Sequence, residues 1–494
     1  MDYSVDSSGH LPSLWSLRRR VPISWVQLGV LFTALAVVLV AKKVDPDFWW
    51  HLRTGKLIVE SGIPRHDPFS WTAAGKAWVT HEWLSEVIIY GVESTLGYVG
   101  NVLLFGATTC AALLLMYALG RRLGAGTKPL VLLALVAMLV LPRFVAVRPQ
   151  EFTWLLFAVF VYVLQRHDEG DAMPLWVLPL LMALWVNLHL GFFYGLMVVG
   201  LWILVQVFRH ARTEPSKLRA PLMVAGGCLL ATLLNPNGPE ILAYPAQYMQ
   251  GTADRSLIVE WQRPDFTSPF NAPIVLTLVL LAVSLLSRRR PLLWLLSAAS
   301  VALSLEAARN LPFAVLLLLP VAGSAAADHW RLASRERDSG MRFRTLPGVA
   351  LVGGLAACLL VIAPSFGASL SGFRPSSDGY PAAGAAFVDS HYRGARLLNE
   401  YSWGGYLIDR LYPSTSVFID GREEFYGETI FGDYIRIRTV DEGWEALLSQ
   451  YGVEVGIVER ESRLAKAMRS AGDWQEAFTG PVEAVFVRRF VREG

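Results

Sequence analysis

Cysteine is scarce, with three in 494 residues (Cys110, Cys228 and Cys358), each set inside an apolar run. That number and placement exclude a disulfide framework and a thiolate metal centre, both of which need cysteines in spaced pairs. Charge is also scarce. Asp, Glu, Lys and Arg make up 17% of the chain, and 44 Lys and Arg face 41 Asp and Glu. So balanced a chain is not a nucleic-acid binder of the basic-surface kind, and its bulk charge points to no acidic partner. No dinucleotide fingerprint is present, because the "GG" at 404–405 is too short for one. A cleavable signal peptide is missing too. The first apolar run starts near Val21 and ends in "VAKKVD" instead of a small-residue cleavage site, so it reads as a retained span.

Apolar residues are plentiful. At 53% hydrophobic residues and 17 Trp, the composition is not that of an ordinary soluble globule. A bilayer core of about 30 Å takes about 20 helical residues. By that ruler the sequence holds about eleven spans, near 22–41, 98–119, 128–142, 151–165, 173–188, 191–208, 219–235, 272–287, 291–306, 311–327 and 346–364. The gaps between them alternate in character. One set carries "RRR" at 18–20, "RRLGAGTK", Arg166, "RHARTEPSKLR", "RRR" at 288–290 and "RLASRERDSGMRFR"; the other is poor in Lys and Arg, apart from Lys42 and Lys43. Positive-inside bias then puts the N-terminus inside and the chain beyond about residue 365 outside. The expected fold class is a polytopic α-helical membrane protein of the cell (plasma or inner) membrane. A cytoplasmic tail at 1–21 and a membrane domain at 22–364 precede an extracytoplasmic α/β domain at 365–494.

The basic-poor gaps hold the unusual residues: "DPDFWWH", "HDPFSW", "THEW", "RFVAVRPQE", "WVNLHLGFF", "NPNGPE", "EWQRPDF" and "EAARN". Polar and ionisable groups at span ends are costly unless they face a cavity or each other. The first such loop, 44–97, reads as two amphipathic interfacial helices joined by "GIPRHDPFSWT", the second opened by Thr80 as N-cap. Asp45 and Asp47 flank a proline at its start. They are either caps of the next helix beside belt tryptophans, or carboxylates placed as general base or metal ligands at the lipid boundary. Arg143 and Arg148 could grip a phosphate through the guanidinium fork, or snorkel. Asn187 and His189 sit at a span end beside glycines, and Arg309 lies three residues from Glu306, with which it could simply pair. In the last 130 or so residues, "ARLLNEY", "SVFIDG", "VEVGIVE" and "EAVFVRR" read as strands. The patterns "GGYLIDRLY", "VDEGWEALLSQYG" and "SRLAKAMRSAG" read as helices, giving a partly parallel sheet ending in a hairpin. Asp420, Arg422 and Glu423, at a strand end, would either read an acceptor or fix this domain to the membrane part.

The acidic "DPD" directly after span one, two interfacial helices and a "P…HEWL" element before span two resemble the GT-C superfamily of integral-membrane glycosyltransferases. This group includes protein O-mannosyltransferases, lipid A aminoarabinose transferases and oligosaccharyltransferase catalytic subunits. The resemblance covers roughly residues 20–330, its specific part is 44–97, and the chain is similar to a bacterial branch from which no activity follows. It implies transfer of a sugar from a polyprenyl-phosphate carrier to a lipid, glycan or protein acceptor on the outer side, without a nucleotide sugar. Asp45 or Asp47 would be the catalytic carboxylate, and Arg143, Arg148 and Arg309 would hold the donor phosphate. His51, Arg53, His81, Glu82, Asn187 and His189 would line the donor site. A divalent metal (Mg or Mn) on Asp45 and Asp47 is left open. The chain departs from the mannosyltransferase pattern: no "DE" pair followed by "KPPL" occurs, and "THEWL" stands in its place. A transporter or flippase of an amphiphilic substrate, and a non-catalytic scaffold, are the competing readings. The first fits less well, since ionisable residues sit at span ends and not at the midplane.

Overall fold

The structure is a computed structural model that describes residues 44–251, 259–285, 290–336 and 379–489. The expected spans at 22–41 and 346–364 lie outside the described residues, as do Lys42 and Lys43. Helix α1 (Pro46–Ser61) leads to α2 (Trp83–Arg122), α3 (Thr127–Val140), α4 (Gln150–Asp168), α5 (Val177–Leu188) and α6 (Phe192–His210). Then follow α7 (Arg219–Ala231), α8 (Glu240–Gly251), α9 (Ala272–Ser284), α10 (Pro291–Glu306) and α11 (Leu311–Glu336).

Among the described residues, four stretches are long and apolar enough to cross a membrane: Trp83–Arg122, Phe192–His210, Pro215–Leu234 and Ala308–Asp328. The apolar helices Val177–Leu188, Pro269–Ser284 and Pro291–Glu306 fall short of about 30 Å at about 1.5 Å per residue. Leu180, Phe208, Met223 and Leu230 are exposed along these helices, and Leu132 and Leu139 along α3, a surface that lipid satisfies and water does not. Helix α2 is two helices in one. Gly97 breaks it with φ 66°, a left-handed conformation that only glycine takes cheaply, between the outer segment and the span proper. Thr80 does not cap it: its hydroxyl donates to the Pro64 carbonyl (3.0 Å), and the N-cap position is Glu82, whose side chain makes no capping bond.

Ion pairs sort the ends of the bundle. Arg122 and Arg166 share Asp171, Arg209 pairs with Asp168, and Arg290 reaches Glu169, so the basic gaps meet at one end. At the other end Arg65 bonds Asn237, Trp83 bonds Asn187, and Arg148 gathers Asp45, Asp47 and Glu260.

The C-terminal unit is α/β. It runs α12 (Ala382–His391), β1 (Leu397–Asn399), α13 (Gly404–Leu411), α14 (Glu423–Thr439), α15 (Trp444–Tyr451), β2 (Val455–Glu459), α16 (Arg463–Ser470), β3 (Trp474–Thr479) and β4 (Glu483–Arg488). The sheet order is β1-β2-β4-β3, with β1 parallel to β2 and both β4 pairings antiparallel. Three expected strands and the closing hairpin are present. "SVFIDG" is not a strand, because its neighbours replace ladder bonds with side-chain ones. Asn399 accepts from Phe418 N (2.8 Å) and donates to Ile419 O (2.8 Å). On its other side Val417 makes an isolated parallel bridge to Ser70 of the first loop. Strand β3 and helices α12 and α14 were not foreseen. The burial of β3 does not alternate, and α14 is interrupted by Gly427 at φ 74°.

Close backbone contact joins the two parts. A Cβ on Gly405 would lie 2.6 Å from the Pro46 carbonyl, so α13 approaches the start of α1 as only glycine allows. Arg422 completes the joint. Its side chain is 2% exposed, with Nη1 on Asp67 (2.9 Å) and Nη2 on Asp420 (2.6 Å). The rings of Phe69, Trp78 and Phe425 surround it.

Candidate active site

The site grows from the N-terminus of α1. Asp45 caps that helix, accepting from Asp47 N at 3.0 Å, and Pro46 supplies the pre-set φ of the first turn. One turn then orders the side chains. Trp50 Nε1 donates to Asp47 Oδ1 (3.2 Å), and the His51 ring, four residues from Asp47, lies tilted against Trp50 with ring centroids 3.7 Å apart. The crossing of α1 with α2 is equally tight, since a Cβ on Gly55 would meet the Glu86 carbonyl at 2.0 Å. This contact brings His51 beside Glu82 and Glu86.

Two linked clusters result. In the first, Arg148 donates from Nε to Asp45 (2.7 Å), from Nη2 to Asp47 (2.6 Å) and from Nη1 to Glu260 (2.9 Å). Glu151 shapes the loop that carries Arg148: fully buried, it accepts from Ala146 N (2.7 Å) and from the Thr109 hydroxyl (2.6 Å). The Asp47 carboxyl is pushed up to about 7, chiefly by burial, against the pull of Arg148, with Asp45 and Glu260 adding like charge. The guanidinium of Arg148, despite burial, is held charged by its three carboxylates. Gly421 of the C-terminal unit lies directly on Asp47; a Cβ there would sit 2.1 Å from Oδ1.

In the second cluster three imidazoles converge on Glu82. The His81 and His189 Nε2 atoms are each 3.3 Å from Oε1, and His51 Nε2 is 3.6 Å from Oε2. The tautomer of His189 follows from its other nitrogen. Nδ1 accepts from Gly191 N–H (2.9 Å) and lies 2.8 Å from the Thr153 hydroxyl, whose oxygen already accepts from Trp185 Nε1. The proton is therefore on Nε2 and points at Glu82. Burial holds His189 down at about 4 and His51 at about 3, so both rings are neutral. His81 differs: burial lowers it, but the Glu82 carboxylate outweighs burial and raises it. Glu82 in turn is held below the usual carboxylate range by the imidazoles, with His81 first, although burial opposes them. Arg148 and Arg309 both act on this cluster electrostatically, through His51 and His189.

The residues singled out in the sequence divide accordingly. Asp45, Asp47, Arg148, His51, His81, Glu82 and His189 come together, and Arg309 lies beside them, its guanidinium 4.0 Å above the Trp261 ring. Arg143 bonds Asn271 (2.5 Å) and the Phe270 carbonyl. Arg53 donates to the Tyr412 carbonyl and covers its ring, as part of the joint with the C-terminal unit. Asn187 is a helix connector, accepting from Trp83 Nε1 (2.8 Å). Asp420 and Arg422 are buried in the joint, and Glu423 is buried next to them. Glu260, Glu86, Asp67 and Gly421 were not picked out. Nothing local marks them, because each acquires its role from a partner about 35 or more residues away.

Among the described residues no group of three or more His, Cys, Asp or Glu has the arrangement of a metal site. Asp45 and Asp47 have oxygens suited to a hard cation, but Arg148 and the helix cap engage them, so this geometry does not fit a metal.

No protein-family model matches the chain, and no curated protein matches it. Solved structures do. The archaeal oligosaccharyltransferase AglB from Archaeoglobus fulgidus, in complex with an inhibitory peptide and a dolichol-phosphate, aligns over 95% of this chain and 75% of its own, at TM-score 0.54 and 9% identity. ArnT from Cupriavidus metallidurans aligns in its apo state over 94% of this chain and 98% of its own, at TM-score 0.50 and 14% identity. The undecaprenyl phosphate-bound form of ArnT gives the same coverage and score at 16% identity. The fold of this chain is that of AglB and ArnT.

Proposed function

We propose that this protein is a membrane glycosyltransferase that moves a sugar from a polyprenyl-phosphate-linked donor to an acceptor on the extracytoplasmic side, with Asp47 as the base. The observation that carries the reading is the state of Asp47. It is a sheltered carboxyl with a pKa of about 7, oriented by Arg148 and Trp50 and roofed by Gly421. A base near neutrality combines enough ionised form with enough proton affinity, and such groups contribute about 10²–10⁴-fold. Asp45 serves better as cap and as second anchor for Arg148. The neighbours bound to dolichol-phosphate and undecaprenyl phosphate support a lipid-phosphate donor.

In the reaction the acceptor O–H gives its proton to Asp47 as its oxygen bonds the anomeric carbon. The bond from that carbon to the phosphate oxygen breaks, and polyprenyl phosphate leaves with the electron pair. Arg309 carries the charge complementary to that phosphate, beside neutral His189. Arg148, held by three carboxylates, orients Asp47 and does not grip the donor.

Native mass spectrometry in mild detergent tests this reading. Wild type and Asp47→Asn should both retain added undecaprenyl phosphate, and Arg309→Ala should lose most of it. Turnover of the sugar lipid so identified should vanish in Asp47→Asn and, in wild type, rise with pH through about 7 as one proton leaves Asp47. A wild type that takes up no lipid phosphate after addition refutes the reading.

A further inference from the structure

The segment "NEYSWGG", 399–405, runs from the end of β1 into α13 and has no part in the reaction as proposed. Two of its side chains hold the backbone of residues 418–421. Asn399, 1% exposed, accepts from Phe418 N (2.8 Å) and donates to Ile419 O (2.8 Å). The Tyr401 hydroxyl donates to Gly421 O at 3.2 Å. Tyr401 is itself seated: its N–H donates to the Tyr434 hydroxyl (2.7 Å), and its ring meets Phe431 edge-on with centroids 5.7 Å apart.

Two adjacent glycines bring this backbone to the base. A Cβ on Gly404 would lie 2.3 Å from Ile419 O and 2.5 Å from the Asp420 Cα, and one on Gly405 would lie 2.6 Å from Pro46 O. The pair is wedged between residues 419–420 and the start of α1, with room for a side chain on neither contact. Gly421 then ends against Asp47. Its Cβ would meet Oδ1 at 2.1 Å and Trp50 Nε1 at 3.3 Å, so it covers the hydrogen bond between those two groups. Burial is the largest influence on Asp47, ahead of the charges of Arg148, Asp45 and Glu260, none of which belongs to the C-terminal unit. That unit brings the phenols Tyr380 and Tyr401, which burial holds protonated, and Asp420, which is tied to Arg422 and to the Tyr426 hydroxyl. Its main action on Asp47 is therefore the exclusion of water.

We propose that Tyr401 is a positioning residue of the transfer reaction: with the Gly404–Gly405 wedge it seats the Ile419–Gly421 backbone as the water-excluding roof of Asp47. This role presupposes Asp47 as the base, and it gives the C-terminal unit a task that needs no contact with the acceptor. Asn399 fixes the roof two residues away from the base, whereas Tyr401 fixes it at Gly421 itself. Removing the Tyr401 hydroxyl leaves the Asn399 and Arg422 anchors in place and frees the one residue that lies on Asp47.

Infrared difference titration of the full chain in detergent tests this, on the protonated carboxyl band assigned to Asp47 by its absence in Asp47→Asn. In wild type the band should disappear through about pH 7. In Tyr401→Phe it should disappear about one pH unit lower or more, because water reaches the carboxyl. Tyr451→Phe, which removes a hydroxyl bonded to Asp433 (2.9 Å) in the same unit, should titrate as wild type. A Tyr401→Phe band that disappears at the wild-type pH or above it overturns the role of Tyr401 and leaves Asp47 as the base, whatever the melting temperature does. An equal downward shift in Tyr451→Phe overturns it too, since it would mark a general loosening of the unit. A wild-type carboxyl that titrates in the ordinary range, about 4, removes the base reading itself and the roof with it.

Discussion

Arg148→Met isolates what the guanidinium does at the candidate site. It makes charged hydrogen bonds to three carboxylates, and removing one partner of a buried ion pair costs about 3–5 kcal/mol. The Arg148 side chain is 20% exposed, so the lower end, about 3 kcal/mol, applies. Much of this should fall on Asp47. A rise from 3.8 to about 7 already corresponds to about 4 kcal/mol of disfavoured ionisation at 1.36 kcal/mol per pKa unit, and loss of Arg148 raises it further. Asp47→Asn removes the charge, so alone it should change stability by no more than about 1 kcal/mol. In the Arg148→Met background it should restore about 1.5 kcal/mol or more. The pH dependence has a definite sign. Folded Asp47 holds its proton to higher pH than unfolded Asp47, so its contribution to stability falls as pH rises from about 4 to about 7. Without Arg148 that window extends upward, and Arg148→Met should lose more melting temperature relative to wild type at pH 8 than at pH 5. The Asp47→Asn/Arg148→Met double variant should show much less of this pH dependence. The assay is the apparent melting temperature of the four proteins in one detergent across pH. Additive single effects, or an Arg148→Met deficit that does not change with pH, would refute the reasoning.

Two further outcomes follow from the joint between the parts. Arg422→Met leaves Asp67 and Asp420 buried without their cation and should destabilise docking by about 3–5 kcal/mol, seen as protease cleavage between the parts; protection like that of wild type would mean that the aromatic cage alone holds the joint. Gly421→Ala puts a methyl 2.1 Å from Asp47 Oδ1, and a displacement of this order should lower turnover by about tenfold to a hundredfold while lipid retention stays intact; wild-type turnover would argue against Asp47 as the base.

The sequence by itself determined the apolar, helix-rich character of the chain and gathered its unusual residues into alternate gaps. Apolar runs register their lengths directly, and the alternation of basic and basic-poor gaps reappears as ion pairs gathered at one end of the bundle. The unusual residues of the other gaps were legible for the same reason, since acids, histidines and arginines at span ends stand out against apolar neighbours. The C-terminal strands β1, β2 and β4 were legible as apolar runs bounded by turns, whereas β3 and α14 lacked a clean period. Which members of that outer set meet was not legible. The proximity of Arg148 to Asp47, or of His189 to Glu82, depends on tertiary packing, and no local pattern encodes a partner about a hundred residues away. Charge states likewise belong to the tertiary structure. Burial and three converging imidazoles push Asp47 and Glu82, both ordinary carboxylates in the sequence, in opposite directions. Only the folded chain, by laying Gly421 on Asp47, brought the C-terminal unit against the first outer loop.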